Sequence, residues 1–235
     1  KIAFRLGENP SNQVLVLEFG GSDFSPFIQM PDALSYPMNM TKLEWGYKAE
    51  PEPELNGRSL VCPRGKVIGG SSSINGMIYV RGNPGDYHEW ARSGAKGWDY
   101  PDVLPYFQRM EKSHGGTSEF RGSDGPLHVT HGKRDNPLHE AFVSAAQQAG
   151  YERTDDYNAY RQEGFGPADM TVHNGSRFST AKAYLKPALA KKNVKLVTRV
   201  LVDKIIFEGK KAVGVEFFYQ GQKKIIKVKK DVILS

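Results

Sequence analysis

The sequence predicts an α/β fold: a doubly wound domain built from discontinuous segments and ending in a β-meander, with part of an α+β domain carrying an antiparallel sheet between those segments. Three observations predict it. "VLVLE" (14–18) is a continuous aliphatic run, the pattern of a parallel strand covered on both faces. "IGGSSSING" (68–76) concentrates small, backbone-exposing residues in one turn. From Asn193 onward the pattern changes to period two, with "EGKK" and "QGQK" punctuating three strands.

"KIAFRLGENPSNQ" reads as the end of a helix and a polar turn leading into the first strand. Five prolines between residues 22 and 61 predict an irregular, surface-crossing segment. The glycine-serine run is expected to lead into a helix. "YPDVLPYFQRME" is a helix start, with Asp102 near its cap and Pro105 in its first turn. "GPLHVTHG" and "GFGPADMTVH" supply strands of the antiparallel sheet. "NPLHEAFVSAAQQAG" is an amphipathic helix capped by Asn136, with Pro137 at its first position and Gly150 closing it. Its expected buried face is Leu138, Phe142 and Ala145. "SRFSTAKAYLKPALAKK" is a second helix, bent near Pro187, and "DVILS" a last aliphatic strand. The expected boundaries place residues 1–100 and 193–235 in the doubly wound domain and 101–192 in the other. Both ends read as cut from a longer chain.

At 39% hydrophobic and 25% charged, the composition is that of a globular protein, not a disordered or collagen-like one. No apolar run approaches the ~18 residues of a membrane-spanning helix. The single cysteine, Cys62, excludes an internal disulfide framework and a cysteine-based zinc cluster. That fits a reducing compartment, either cytoplasmic or peripheral to the inner membrane. Between Lys182 and Lys230 there are 14 Lys or Arg against 3 acidic residues. These are either solvated strand faces or a patch for anionic lipid; no nucleic-acid motif accompanies them. His88, His114, His128, His131, His139 and His173 are scattered without metal-ligand spacing, so no metal is expected. Trp45, Trp90 and Trp98 are expected in the core or an interface.

Two features carry chemistry. Adjacent glycines let backbone N–H groups close on an anion, and serine hydroxyls add donors, so Gly69, Gly70, Ser71 and Ser72 read as a pyrophosphate turn. A plain structural turn is the alternative on this run alone. Glu18 ends an aliphatic strand, where dinucleotide-binding units place the acid that accepts hydrogen bonds from ribose hydroxyls. Together the two favour a nucleotide.

The stretch "GKVIGGSSSIN" (65–75), with Tyr79 and Gly82, resembles the first signature of the glucose–methanol–choline (GMC) flavin oxidoreductases. The resemblance covers essentially the whole chain. "MPDALSYPM", "EWGYKAEPEP", "TDDYNAYRQEGFGP" and "RFSTAKAYL" are most similar to the choline-oxidising members. It implies a Rossmann-like FAD domain in which Glu18 binds the adenosine ribose and Gly69, Gly70, Ser71 and Ser72 follow the pyrophosphate. Asn75 and Gly76 would lie near the flavin, and the Val202 backbone would meet the adenine. Some relatives bond the flavin covalently through a histidine where this chain has Ile74, so FAD is expected to be non-covalent. Tyr79 would either border the substrate cavity or fill the core.

The implied function is oxidation of a primary alcohol to an aldehyde by hydride transfer to flavin, with choline to betaine aldehyde, in glycine betaine synthesis, foremost. The implied partners are the alcohol and an electron acceptor such as a membrane quinone, with peripheral membrane contact through the basic stretch. The family's first GxGxxG turn would precede the chain. Its second signature and catalytic histidine would lie beyond residue 235, so no residue here is assigned a catalytic role. The alternatives are another alcohol dehydrogenase or oxidase of the family, or a catalytically silent fragment.

Overall fold

The computed structural model describes residues 1–115, 118–133 and 135–235. In chain order the first elements are α1 (Ile2–Leu6), β1 (Val14–Glu18), α2 (Pro26–Gln29), α3 (Ser35–Met38), α4 (Pro84–Arg92) and α5 (Tyr100–Met110). Next come β2 (Glu111–Ser113), β3 (Leu127–His131), α6 (Pro137–Gln148), β4 (Asp169–Met170), β5 (Val172–His173) and β6 (Ser176–Arg177). The chain ends with α7 (Lys186–Leu189), β7 (Val194–Thr198), β8 (Val200–Glu208), β9 (Lys211–Tyr219) and β10 (Gln222–Lys227).

The chain divides into two compact units, Lys1–Asn75 with Ser179–Ser235, and Gly76–Phe178. The breaks therefore fall at 75/76 and 178/179, not near 100 and 192. Hydrogen bonds account for the shift. Tyr79 N–H donates to Asp169 O and Thr171 N–H to Met77 O, sewing residues 77–79 into the second unit. Thr180 is bonded to Ser72 in the first.

In the first unit β1 pairs in parallel with β7, Val14 opposite Val194 and Glu18 opposite Thr198. β1 is only partly covered, with Leu15 exposed. The stretch read as three strands holds four. Arg199, at φ +59°, turns the chain between β7 and β8, and β8, β9 and β10 then form the antiparallel meander. "DVILS" is not a strand; among the described residues none pairs with it. The core under the glycine-serine run is Ile28, Leu43, Val67 and Ile74. On the meander, Glu216 is buried and takes Lys223 at 2.8 Å and Lys204 at 3.4 Å, which pairs off part of the basic stretch. The helix expected near Pro187 does deform: residues 181–185 form a wide π-turn running into α7. Proline offers no N–H to the preceding turn, which favours such a bulge.

In the second unit β3 pairs in parallel with β2 and antiparallel with β4. α5 is capped by Asp99, whose carboxylate accepts the Tyr100 N–H at 2.7 Å, and not by Asp102. Pro105 lies inside this helix. In α6 Asn136 Oδ1 accepts the Leu138 N–H at 3.0 Å, and Gly150 closes the helix at φ +87°. Its buried face, however, is Val143 and Ala146; Leu138 is 76% and Phe142 62% exposed. Phe142 instead meets Phe165 edge-on at 5.5 Å. Trp90 and Trp98 are half-exposed and meet edge-on at 5.8 Å at the surface, not in a core.

At the centre of this unit lies a buried charge network. Glu111 Oε1 receives Arg81 at 2.8 Å and Arg121 at 3.0 Å, and all three side chains are almost wholly out of solvent. Asp169 Oδ2 accepts from Arg121 at 2.8 Å and from Asn158 Nδ2 at 2.8 Å. Buried charges persist only when paired in this way.

Candidate functional site

Glu18 closes β1, and the loop after it is shaped by absent side chains. The Glu18 Oε1 accepts the Gly20 N–H at 2.7 Å, while Oε2 has no partner among the described residues. Burial raises the carboxyl's pKa above the ordinary range, against the pull of the Gly20 hydrogen bond. A Cβ on Gly20 would stand 2.2 Å from the backbone of Lys66 and Val67, so only glycine lets the two segments run side by side. Gly21 then bridges Val67 in parallel, and its carbonyl accepts the Ile68 N–H at 3.0 Å. The strand that ends in Glu18 is thus zipped to the residues that lead directly into Gly69.

Gly69 (φ +90°) and Gly70 (φ +55°) turn the chain through conformations that side chains disfavour. Beyond them lies not the expected helix but a single 3₁₀ turn, Gly70–Ser73. Nor do all the serines face outward. Ser72 Oγ donates to Gly69 O at 2.6 Å, and Ser73 Oγ to Ile68 O at 2.8 Å. Ser71, which is exposed, accepts the Gly65 N–H at 3.1 Å. Thr180 locks the turn from a remote part of the sequence. Its N–H donates to Ser72 Oγ at 2.9 Å, and its Oγ1 donates to Gly69 O at 3.1 Å. A partner 108 residues away carries no local signal, and reading the sequence missed it.

The turn leaves backbone uncovered at two glycines. A Cβ at Gly21 or Gly70 would meet nothing within 4 Å. Asn75 is exposed, its N–H bonded to Ser71 O at 2.8 Å, while Ile74 points into the apolar core. Val202 is half-exposed on β8, where Asp203 has no opposite number in β9 and the ladder is interrupted beside it. The chain enters β8 next to Glu18's own loop, with Arg199 N–H donating to Gly20 O at 3.3 Å. Glu18, Gly69, Gly70, Ser71 and Ser72 therefore share one region of the first unit, and the start of β8 reaches it.

Phe19, Trp45 and Tyr47 form an aromatic stack beside Glu18, with centroids 4.8 and 6.1 Å apart, and Lys66 Nζ lies 5.8 Å from the Trp45 ring. Gly76 and Tyr79 belong to the second unit. Gly76 has open space where a Cβ would stand. Tyr79 is buried, and its hydroxyl lies beside Arg81 and Glu111; burial, reinforced by the Glu111 charge, raises its pKa far above the ordinary phenol value.

The sequence profile of the GMC oxidoreductases matches residues 14–235. The chain belongs to this family. Oxygen-dependent choline dehydrogenases from Brucella suis and Rhizobium etli are 58% and 56% identical to it over 234 residues. These alignments take in 100% of the chain and 42% of each relative, so the chain spans less than half the length of the curated relatives it matches. Among solved structures, pyridoxine 4-oxidase from Mesorbium loti superposes with a TM-score of 0.91 at 30% identity, over 96% of this chain and 45% of that one. An FAD-dependent oxidoreductase from Chaetomium thermophilum gives 0.88 at 28% identity, over 97% and 42%. The α/β, Rossmann-like expectation therefore stands, and among the described residues β1 and β7 form a two-stranded parallel sheet.

Proposed function

We propose that this chain is the FAD-binding, N-terminal portion of an alcohol oxidoreductase whose substrate is choline. The observation that carries the cofactor reading is the zip of Gly20–Gly21 to Lys66–Ile68. It brings a carboxylate with a spare acceptor oxygen and an uncovered glycine turn into the same region. The residues fit the group. The unpartnered Oε2 of Glu18 supports its reading as the acceptor for ribose hydroxyls, and the open space beside Gly21 and Gly70 supports the reading of a pyrophosphate there. Ser71 keeps an exposed hydroxyl for it, whereas Ser72 holds the turn in shape. Asn75 and Gly76 are read as the residues nearest the flavin, and Val202 as the backbone contact to adenine. Ile74, buried and without a nucleophilic atom, supports non-covalent attachment.

Flavin, when bound, supplies the hydride-accepting chemistry; the residues of this chain bind and orient it. Proton abstraction from the alcohol is not assigned to any residue here. Tyr79 is read as part of the second unit's charged core and not as a wall of the alcohol cavity. The choline assignment rests on the relatives, since the 58% and 56% identical proteins are named for that substrate. Another alcohol substrate is the second reading, supported by the pyridoxine 4-oxidase superposition at 30% identity. Transfer of electrons to a membrane quinone, and contact of the Lys182–Lys230 stretch with anionic lipid, belong to the same proposal. Among the described residues no helix is long and apolar enough to cross a membrane.

The test has two arms. Titrating FAD into the chain, monitored by flavin fluorescence quenching, is expected to show saturable binding that Glu18→Gln weakens; unsaturable binding refutes the cofactor reading. Turnover of the full-length enzyme on choline against benzyl and short alkyl alcohols is expected to favour choline. A preference for an uncharged alcohol refutes the substrate assignment and leaves the cofactor reading intact.

A further inference from the structure

Three histidines that sequence spacing kept apart come together in the second unit. His114 stands just after β2, His128 lies on β3 and His173 on β5. One ligand nitrogen from each lies within 4.8 Å of the other two, and His114 Nε2 is 2.7 Å from His128 Nδ1. The strands that carry them are tied together. His114 N–H donates to Val129 O at 2.9 Å, and Thr130 Oγ1 to Val172 O at 2.9 Å. Phe178 meets His128 and His173 edge-on at 4.8 and 5.7 Å and walls one side. His131, three residues from His128, shows why spacing misled. Alternation along β3 sends it to the other face, where it pairs with Asp169 at 2.8 Å.

We propose that His114, His128 and His173 form a binding site for a divalent first-row transition ion, zinc foremost. Imidazole nitrogens suit Zn²⁺, Cu²⁺ and Ni²⁺, and a three-histidine set leaves a fourth position to water or an anion. Zinc–nitrogen bonds of about 2.0–2.1 Å in a tetrahedron put ligand nitrogens roughly 3.3 Å apart. The His114–His128 pair must therefore open slightly, and any nitrogens near the 4.8 Å limit must close by about 1.5 Å, shifts within reach of side-chain rotation. Before binding, one imidazole of the pair donates to the other. On binding, the donor changes tautomer so that both lone pairs face the ion, with no net proton release from neutral rings. The site lies within the second unit and does not depend on the cofactor reading.

The test uses the full chain, dialysed against chelator and titrated with Co²⁺ as a visible probe, then with Zn²⁺. A single Co²⁺ is expected to bind with the absorption bands of a nitrogen-ligated low-symmetry site and to be displaced by Zn²⁺. His128→Gln and His173→Gln are each expected to weaken binding by at least about tenfold, as loss of metal-site residues does. His88→Gln, whose parent side chain pairs with Asp99, should leave it unchanged. All three histidines are exposed or partly exposed, and circular dichroism is the check that each variant is folded. Co²⁺ uptake without those bands, or unchanged affinity in a folded His128→Gln/His173→Gln double variant, overturns the proposal.

Discussion

Removing the Ser72 hydroxyl tests whether the glycine turn is held from Thr180. In the structure that oxygen donates to Gly69 O at 2.6 Å and accepts the Thr180 N–H at 2.9 Å, in a half-buried setting. At about 0.5–1.5 kcal/mol net per hydrogen bond, Ser72→Ala costs roughly 1–3 kcal/mol. Thr180→Val keeps the side-chain shape and removes only Oγ1, which donates to Gly69 O at 3.1 Å and touches Ser72 Oγ at 2.9 Å. Gly69 O then still has Ser72, so the cost is about 1 kcal/mol. Because both hydroxyls serve the same carbonyl and touch each other, the double variant should differ from the sum of the singles by about 0.5–1 kcal/mol. Urea unfolding monitored by circular dichroism gives the stabilities, and FAD titration gives the functional readout. Affinity should fall by roughly tenfold in Ser72→Ala, the equivalent of about 1.4 kcal/mol, and less in Thr180→Val. Fully additive losses, or a Ser72→Ala protein as stable as its parent, refute the reasoning.

Three further outcomes are expected. FAD affinity should be full at neutral pH and fall on acidification, with a midpoint above the ordinary carboxylate range, because burial raises the Glu18 pKa and the protonated acid loses its acceptor strength. In Glu18→Gln this pH step should vanish; a step of the same size in the variant assigns it to another group. Glu111→Gln should cost about 3–5 kcal/mol in urea unfolding, since it takes the carboxylate from buried Arg81 and leaves Arg121 only Asp169 and Asp156 as counter-charges. A loss below 1 kcal/mol, which is roughly the value of a surface pair, contradicts the buried-network account. Val143→Ala should cost about 2 kcal/mol and Phe142→Ser within about 0.5 kcal/mol, the reverse of the ranking by side-chain size. Thermal unfolding of the two variants decides which face of α6 is covered.

Local chemistry was legible in the sequence, and convergence was not. The caps of α6, the turns of the meander and the aliphatic run ending in Glu18 depend on neighbours a few residues away, so their residues announce them. The buried face of α6 failed because a stripe with Leu138, Phe142 and Ala145 and one with Val143 and Ala146 are both helical. What the rest of the chain offers decides between them, and Phe165 meets Phe142 at the surface. The helix after the glycine turn failed for a similar reason. Ser72 and Ser73 use their hydroxyls on carbonyls of the turn itself, and this local competition stops the chain at one 3₁₀ turn.

The sequence by itself determined the family, the α/β pattern and the pair of features, Glu18 and Gly69–Gly70, that point to a nucleotide, because each rests on residue types in short, ordered stretches. Only the tertiary structure decided that Gly20 and Gly21 zip those features together, that Thr180 locks the turn, that Arg81 and Arg121 pair with Glu111 and Asp169 in the core, and that His114, His128 and His173 meet. Such contacts join residues 10 to 111 positions apart. The free energy that selects them comes from pairing and burial in three dimensions, which no local pattern along the chain encodes.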